Sequence, residues 1–487
     1  MPNWVLVFTI SILYLVISLV LGILSGRHTK MGVEGFIVGN RAVGVVLTYF
    51  ILGATVVSAY AFLGGPGWAY SKGAPAYYIL ATGILSFVPL YLFGPKMSRL
   101  GRKYGYVTQA DLLSDRFESP ALSGLIAWVS LLAFIPYLTL QMQAANYIFY
   151  IMTDGHIPLW LGGLLAYGTV IIYVMASGLM GLGWVNVFQG IIMIVLAWSL
   201  GLYLPFKIYG GLTPMFQQIM QAKPEFLTLP GPNNAMPWSF YTSSVIVVIL
   251  GWAMWPHLFM KAYISKDEQT FKRSLILYPT FQIVLLPPLL VGLAGILYTK
   301  VPLENPDMIL PYLVMNLGFS PIWAGIFCSG VLAASMSTGD AVVHAAGSIM
   351  LRDFYLKVFN KEMSEKRQTF YMRLLVLIFG AIAYLFTLTS KVDLVLLLLY
   401  AYGAVVQFFP LVIATFFWPR ATKAGALAGL TTGTLVTILF AIFPQPFGIP
   451  HIHHGLWGLA FNTLVLIIVS LKTKPHKPEH VYRFINV

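Results

Sequence analysis

The stretch LGATVVSAYAFLGGPGWAY (residues 52–70) lies in a long apolar segment, yet it contains four glycines and a proline. Glycine destabilises a helix, and proline removes a backbone donor and clashes with the preceding turn. Within lipid, such interruptions are tolerated only where the freed backbone groups face a cavity or other protein. The stretch therefore predicts a broken helix beside an internal cavity.

The composition predicts that the whole chain is an all-α polytopic membrane protein. Of its 487 residues, 58% are hydrophobic and 9% are charged, and the mean hydropathy is +0.81, whereas soluble domains are about 25% charged. Windows long enough to cross a bilayer predict thirteen transmembrane helices. They span residues 3–25, 43–71, 74–95, 119–152, 157–177, 181–206, 239–260, 274–298, 321–350, 370–389, 393–418, 424–444 and 455–471.

The basic residues predict the orientation in a cell membrane. With thirteen spans, 24 of the 29 lysines and arginines fall on one side. Cytoplasmic loops carry the excess of positive charge, so the N-terminus is expected outside and the C-terminus in the cytoplasm. The net charge of +13 is then a signature of topology in the bilayer and not of a nucleic-acid partner. The five remaining residues are Lys72, Lys207, Lys223, Lys300 and Lys391.

Other features argue against several classes of function. The single cysteine, Cys328, lies within a span and provides no disulfide framework or metal–thiolate site. The segment HIHH (451–454) is interpreted as a solvated external loop, with a metal site as the alternative. No nucleotide-binding loop or soluble domain appears, which disfavours an ATP-driven pump. We expect neither enzymatic activity, an organic cofactor nor an obligatory protein partner.

A second interrupted span lies five spans after the first. It reads VILGWAMWPHLFMK (248–261) and contains Gly251 and Pro256. Transporters place such breaks at matching positions of two inverted repeats, with the solute and the ion between them. We therefore predict an extra N-terminal helix, two five-helix repeats, two extra C-terminal helices and a cytoplasmic tail, over residues 1–30, 31–210, 211–418, 419–471 and 472–487.

The ninth span contains an unusual number of polar residues, in LAASMSTGDAVVHAAG (332–347). Ala334, Ser337 and Thr338 share one helical face at i, i+3 and i+4. Two hydroxyls and a carbonyl there suit a small hard cation, and carbonyls freed near Ala54 and Val57 would complete its shell. The alternative is that the hydroxyls bond back to carbonyls of their own helix.

Asp340 is the one acid well inside a predicted span, and an intramembrane carboxylate is a functional candidate by default. We expect it to carry a proton or to tune the cation site. His344 lies four residues further on the same face. The alternative is a structural hydrogen bond between these two side chains.

Four stretches resemble the sodium:solute symporter family, the relatives of the sodium/proline, sodium/pantothenate and sodium/glucose carriers. GNRAVG (39–44) with SAYAFLGGPGWAY (58–70) resembles the first broken helix of the family. GLGWVNVFQG (181–190), GWAMWPHLFMKAYISKD (251–267) and LAASMSTGDA (332–341) resemble three further segments. The resemblance implies a leucine-transporter-type fold of five plus five inverted helices with broken second and seventh spans.

The resemblance also implies a sodium site formed by the carbonyls of Ala54, Val57 and Ala334 and the hydroxyls of Ser337 and Thr338. This chain has Asn186 where many members have aspartate, and Val56 where the proline carriers have an acid. The resemblance therefore implies one coupled cation, with a proton kept as the alternative to sodium. Asn186, Asp340 and His344 are candidates for tuning this site.

The solute is expected between the breaks. The candidate side chains offer aromatic rings and hydroxyls but few amides, which suits a small organic solute with an apolar body. PYLTLQMQ (136–143) resembles the monocarboxylate and pantothenate branch, so a monocarboxylate is the first expectation and a proline-like or pantothenate carrier the alternative. A sensor or a channel is disfavoured, because the tail is short and broken helices favour alternating access. The solute candidates are Thr55, Ser58, Tyr77, Tyr78, Trp252, Trp255, Tyr402 and Gln407.

Overall fold

The computed structural model describes residues 3–27, 32–389, 394–443 and 451–487, and these ranges are predominantly helical. Shorter helices lie between the long ones at Val33–Val38, Gln109–Arg116, Leu212–Ala222 and Ile309–Asn316, and another, Pro478–Ile485, follows the last long helix. The long helices are α1 (Asn3–Gly26), α2 (Val45–Val56), α3 (Tyr60–Lys72), α4 (Ala74–Tyr104), α5 (Pro120–Met152), α6 (Leu159–Tyr209), α7 (Trp238–Trp252), α8 (Pro256–Tyr263), α9 (Glu268–Tyr298), α10 (Pro321–Leu356), α11 (Glu365–Thr389), α12 (Leu394–Phe417), α13 (Lys423–Ile442) and α14 (His454–Lys472).

By length and composition, ten helices in the described ranges can cross a membrane, or twelve when each of two bent pairs counts as one span. Helix α6 has 51 residues, about 77 Å at 1.5 Å per residue, whereas the hydrocarbon core is about 30 Å thick. It is interrupted at Gly178, where φ is 55° and ψ is −144°. Counted as two crossings, α6 brings the total to the thirteen that the sequence predicts.

The two bent pairs confirm the predicted breaks in the second and seventh spans. Helices α2 and α3 meet at 54°, and α7 and α8 meet at 45°. The first interruption falls at residues 57–59, so the glycines at 64–67 do not mark it and lie within α3. The second falls immediately before Pro256, where Trp255 is extended (φ −56°, ψ 122°), as the residue before a proline prefers.

Helix α10 is the central helix of the described part of the molecule. Of the residues in its apolar 18-residue stretch, 94% are buried by other parts of the protein. It packs on α1, α5 and α6. At Gly339 a side chain would meet the Tyr167 ring and its hydroxyl at 2.3–2.7 Å, so the missing side chain permits this close approach of α6. The polar residues of α10 therefore face other helices and not lipid.

One end of the bundle, which includes Arg41, Lys96 and Arg483, is here called the basic face. Hydrogen bonds across it join segments that flank the two breaks. Val43 and Ser265 form an isolated parallel bridge, and Arg41 donates to the carbonyls of Tyr106 (2.9 Å) and Tyr263 (3.3 Å). On the same face, Asp111 is buried, which alone would raise its pKa, but nearby Lys357 and Arg352 lower that pKa below the ordinary aspartate value.

Residues 478–485 of the predicted cytoplasmic tail form a helix that docks on the basic face. Val481 and Phe484 are buried there, Lys96 donates to the carbonyl of Ile485 (3.3 Å), and Arg483 pairs with Asp115. The C-terminal residues thus brace the ends of α4 and of the helix Gln109–Arg116.

Candidate functional site

Two hydroxyls of α10 contact the last carbonyls of α2, at the first break. Ser337 Oγ lies 2.9 Å from the carbonyl oxygen of Ala54, and Thr338 Oγ1 lies 2.7 Å from that of Thr55. Ser337 Oγ is also 3.1 Å from the carbonyl of Ala334 in its own helix. These five oxygens, called the oxygen cluster below, are all on fully buried residues. The predicted contact between the two spans is therefore present, alongside one of the back-bonding contacts that formed the alternative.

The cluster differs from the predicted set by one carbonyl. Thr55, expected to contact the solute, turns its carbonyl toward Thr338, whereas Val57 is the first residue beyond α2 (φ −75°, ψ 81°). Carbonyl and hydroxyl oxygens are hard ligands of the type that small cations prefer. The residues present therefore fit a sodium ion. The carbonyl oxygens of Ala54, Thr55 and Ala334 and the hydroxyl oxygens of Ser337 and Thr338 would hold it.

Asn186, a candidate for tuning the site, lies beside the first break. Its side chain is fully buried and donates from Nδ2 to Thr55 Oγ1 at 3.4 Å. Its Oδ1 has no hydrogen-bond partner among the described residues. An unpaired buried oxygen next to the oxygen cluster is available to a ligand.

Asp340 and His344 each bond to a different helix, so the alternative of an Asp–His hydrogen bond is wrong. Asp340 Oδ2 accepts from the hydroxyl of Tyr173 at 2.8 Å, and His344 Nε2 contacts the carbonyl of Phe36 at 2.7 Å. Asp340 Oδ1 is buried without a partner among the described residues. The buried Lys261 of α8 is close enough for its charge to act on Asp340.

Aromatic residues from three elements meet at the second break. The Trp255 ring lies 4.6 Å from Tyr137 on α5, 5.4 Å from His257 and 5.5 Å from Tyr402 on α12. These four residues, called the aromatic cluster below, are buried. The Tyr137 hydroxyl lies near the hydroxyls of Ser58 and Thr338. The aromatic cluster therefore adjoins the oxygen cluster.

Sequence reasoning missed Tyr137, Gln141 and His257 as site residues. Gln141 Oε1 accepts from the backbone N–H of Ala59 at 3.1 Å, which satisfies a donor at the start of α3. Both ring nitrogens of His257 are buried without a partner among the described residues. The segment PYLTLQMQ contained the signal for Tyr137 and Gln141, since polar residues alternate with apolar ones along it, at 137, 139, 141 and 143.

The remaining solute candidates are dispersed. The Trp252 ring lies 4.8 Å from Tyr278 on α9, and Tyr78 lies 5.6 Å from Trp68. Tyr77 is partly exposed at the end of a short turn. Gln407 does not join the aromatic cluster, because its amide bonds to the carbonyls of Gly403 and Gly455, each at 3.1 Å, and so secures the C-terminal helices.

The HIHH segment is not a solvated loop. His453 is fully buried and His454 is 8% exposed, with their rings 4.3 Å apart. Within the described residues no group of three or more histidine, cysteine or acidic side chains is placed to hold a metal ion. The sequence HIHH alone did not indicate that its histidines are buried.

Comparisons with known proteins agree with this geometry. A profile of the sodium:solute symporter family matches residues 36–433. The chain is 33% identical to the uncharacterized symporter YhjB of Bacillus subtilis (95% of this chain, 96% of the relative). It is 28% identical to the sodium/pantothenate symporter of Escherichia coli (88% and 89%) and 27% identical to the high-affinity proline transporter PutP of B. subtilis (94% and 96%).

One solved structure confirms the leucine-transporter-type fold. It is a Na+-coupled sialic acid symporter in its substrate-bound outward-open state, with a TM-score of 0.80 and 18% identity over 97% of this chain and 98% of that chain.

Proposed function

Because the chain belongs to the sodium:solute symporter family, we propose that it couples the inward movement of sodium to the uptake of a small monocarboxylate by alternating access. The observation that carries the proposal is the contact of Ser337 and Thr338 with the carbonyls at the first break, 2.9 and 2.7 Å away. The family and the fold are those of transporters.

The oxygen cluster can couple the two ligands because it joins two moving parts. The carbonyls of Ala54 and Thr55 belong to α2 in the proposed first repeat (31–210). The carbonyl of Ala334 and both hydroxyls belong to α10 in the proposed second repeat (211–418). A cation held there would stabilise the contact of the two helices. Cation binding would affect the solute site through Tyr137, which lies near Thr338 and packs on the ring of Trp255.

The surroundings of the aromatic cluster favour an anionic solute with an apolar body. Its walls are aromatic, and none of its four residues carries a carboxylate. Both ring nitrogens of His257 lack a partner among the described residues, and the one that carries the proton could donate to a carboxylate. We also propose the orientation with the basic face in the cytoplasm, on the distribution of lysine and arginine.

We expect short carboxylic acids to compete with transport and hexoses not to do so. The assay is uptake of labelled pyruvate, lactate, pantothenate and proline into proteoliposomes with an inward sodium gradient, followed by competition against the labelled solute that is transported. The physical reason is that hexoses need several buried amides or acids to replace their hydration. Proline uptake with no competition by pyruvate or lactate would instead favour the amino-acid alternative.

Asp340→Asn is expected to raise the sodium concentration for half-maximal uptake about tenfold. A unit charge at about 10 Å contributes about 1.7 kcal/mol at an effective dielectric constant of about 20, and Asp340, one helical turn of about 5.4 Å from Ser337, lies within that distance. Tyr173→Phe serves as the matched control, because it removes the hydrogen bond to Asp340 but keeps the carboxylate. An equal change in both variants would show that Asp340 acts by position and not by charge.

A further inference from the structure

The short helix Pro478–Ile485, called the tail helix below, depends on its contacts with the rest of the protein. It has eight residues, and isolated helices shorter than about 12–15 residues are marginal in water because nucleation is costly. Val481 and Phe484 lie one turn apart on its inner side and are 2% and 0% exposed, whereas Tyr482 is 47% exposed on its outer side. Burial of the two apolar side chains therefore keeps the helix docked.

Polar contacts join the tail helix to two separate elements. Lys96, on α4, donates to the carbonyl of Ile485 at 3.3 Å. Arg483 pairs with Asp115, which belongs to the short helix Gln109–Arg116 that precedes α5. Both partners of this ion pair are partly exposed, so the pair orients the helix more than it stabilises it. The tail helix thus connects the last turns of α4 to the segment that leads into α5.

The ion pair continues into a chain of hydrogen bonds that reaches the segments flanking both breaks. The Tyr106 hydroxyl donates to Oδ2 of Asp115, while Arg483 donates to its Oδ1. The carbonyl of Tyr106 accepts from Arg41 at 2.9 Å, and Arg41 also donates to the carbonyl of Tyr263 at 3.3 Å. Arg41 precedes α2, and Tyr263 ends α8. The tail helix therefore fixes the two residues that position Arg41 between these segments.

The same segments exclude solvent from the basic face. Val43 and Ser265 form their bridge there, and the two residues are 1% and 0% exposed. The backbone of Val43 bonds to Ile264 at 3.2 Å and to Lys266 at 3.0 Å. In alternating access the binding site opens to each side in turn. These segments therefore have to separate before a solute can leave through the basic face.

We propose that the tail helix is an intramolecular latch, which keeps the basic face shut while it is docked and lets that face open when it detaches. Phe484 holds the helix in place, and Arg483 transmits its position through Asp115 and Tyr106 to Arg41. The contacts of these residues carry the latch, while its effect on transport rests on the proposed function.

Labelling of introduced thiols tests the latch in the detergent-solubilised protein. Ser265→Cys reports opening of the basic face and Val481→Cys reports detachment of the tail helix, because both positions are buried. The native Cys328 is buried as well. The latch variant is Arg483→Glu/Phe484→Asp, which reverses the charge in the ion pair and places a carboxylate at an apolar contact. We expect a charged maleimide to label both reporters at least threefold faster in the latch variant.

Tyr106→Phe tests the chain of hydrogen bonds without changing the tail helix. It removes the hydroxyl that donates to Asp115 and keeps the ring. We expect Ser265→Cys to be labelled at least twofold faster in Tyr106→Phe, with the rate of Val481→Cys unchanged. In the latch variant, Tyr106→Phe should give no further increase, because the two changes interrupt the same chain of contacts and are not additive.

Tyr482→Ala is the matched control on the tail helix. Its side chain lies on the exposed side, so both reporters should keep the rates of the unmodified protein. Faster labelling of Val481→Cys in the latch variant with an unchanged rate of Ser265→Cys would overturn the proposal. An unchanged rate of Val481→Cys would also overturn it, because other contacts would then dock the helix. If the latch variant exposes Cys328, Tyr106→Phe decides, and an unchanged rate of Ser265→Cys there overturns the latch.

The experiment separates the latch from the proposed function. The labelling assay needs no ion gradient and no transported solute. Faster labelling of both reporters would support the latch even if no monocarboxylate is transported. Sodium-driven uptake of a monocarboxylate, with the labelling of Ser265→Cys unchanged by the latch variant, would reject the latch alone.

Discussion

Replacing Ser337 and Thr338 together by alanine is expected to raise the sodium concentration for half-maximal uptake at least tenfold. Their hydroxyls are two of the five oxygens in the cluster, and they alone reach across from α10 to the carbonyls of Ala54 and Thr55. Loss of about 1.4 kcal/mol gives a factor of ten, and hydrogen bonds to a charged group contribute about 1.5–3 kcal/mol each. The measurement is initial uptake against external sodium in proteoliposomes.

Ser329→Ala provides the matched control for the double variant. Ser329 lies on the same helix, and its hydroxyl bonds back to the carbonyl of Gly325 at 2.9 Å. It should leave the sodium dependence unchanged. The assignment of the cation site is rejected if the double variant folds and shows the sodium dependence of the unmodified protein. Uptake driven equally well by a proton gradient without sodium would favour the proton as coupling ion.

The oxygen face of α10 could be predicted because helical period fixes which residues share a face. Ser337 and Thr338 do contact the first break, and Ala334 joins them through its carbonyl, which lies 3.1 Å from Ser337 Oγ. The carbonyls of α2 that join the cluster were harder to predict, because a backbone that leaves the helix has no fixed period. The sequence predicts the break near Ala54 and Val57, whereas the structure interrupts the helix at residues 57–59. The carbonyl that Thr338 contacts is that of Thr55, two residues before Val57.

The solute candidates show where local pattern is insufficient. Trp252 and Trp255 are three residues apart, but the chain between them is not helical, so they contact different helices. Gln407 looked available as a polar group in an apolar span. Its amide is hydrogen-bonded to carbonyls of Gly403 and Gly455, and the second contact depends on how α14 packs, which the sequence does not show.

Asp340 and His344 make the same point for charged groups. The i, i+4 spacing places them on one face, which is a necessary condition for a bond between them. Each instead bonds to a partner on another element, Tyr173 and Phe36 respectively. Tertiary packing therefore decided between two local possibilities that the spacing left open.

Trp255→Leu is expected to raise the solute concentration for half-maximal uptake about thirtyfold. Trp255 is the one member of the aromatic cluster with ring contacts to all three others, at 4.6 Å from Tyr137, 5.4 Å from His257 and 5.5 Å from Tyr402. Aromatic pairs contribute about 0.5–1.5 kcal/mol beyond the area they bury, so loss of the ring from a solute site removes about 2 kcal/mol, and each 1.4 kcal/mol is tenfold.

The comparison that makes this prediction specific is Trp184→Leu. Trp184 is 50% exposed on the outer surface of α6, where a membrane helix faces lipid. Its replacement should change neither the sodium nor the solute concentration for half-maximal uptake. Trp255→Leu should also leave sodium binding measured without solute within about twofold, because Trp255 contributes no oxygen to the cluster. A thirtyfold loss of sodium affinity in that variant, with unchanged solute dependence, would show that Trp255 supports the cation site through Tyr137. The aromatic cluster would then be part of the ion site, and the solute would have to bind elsewhere between the two breaks.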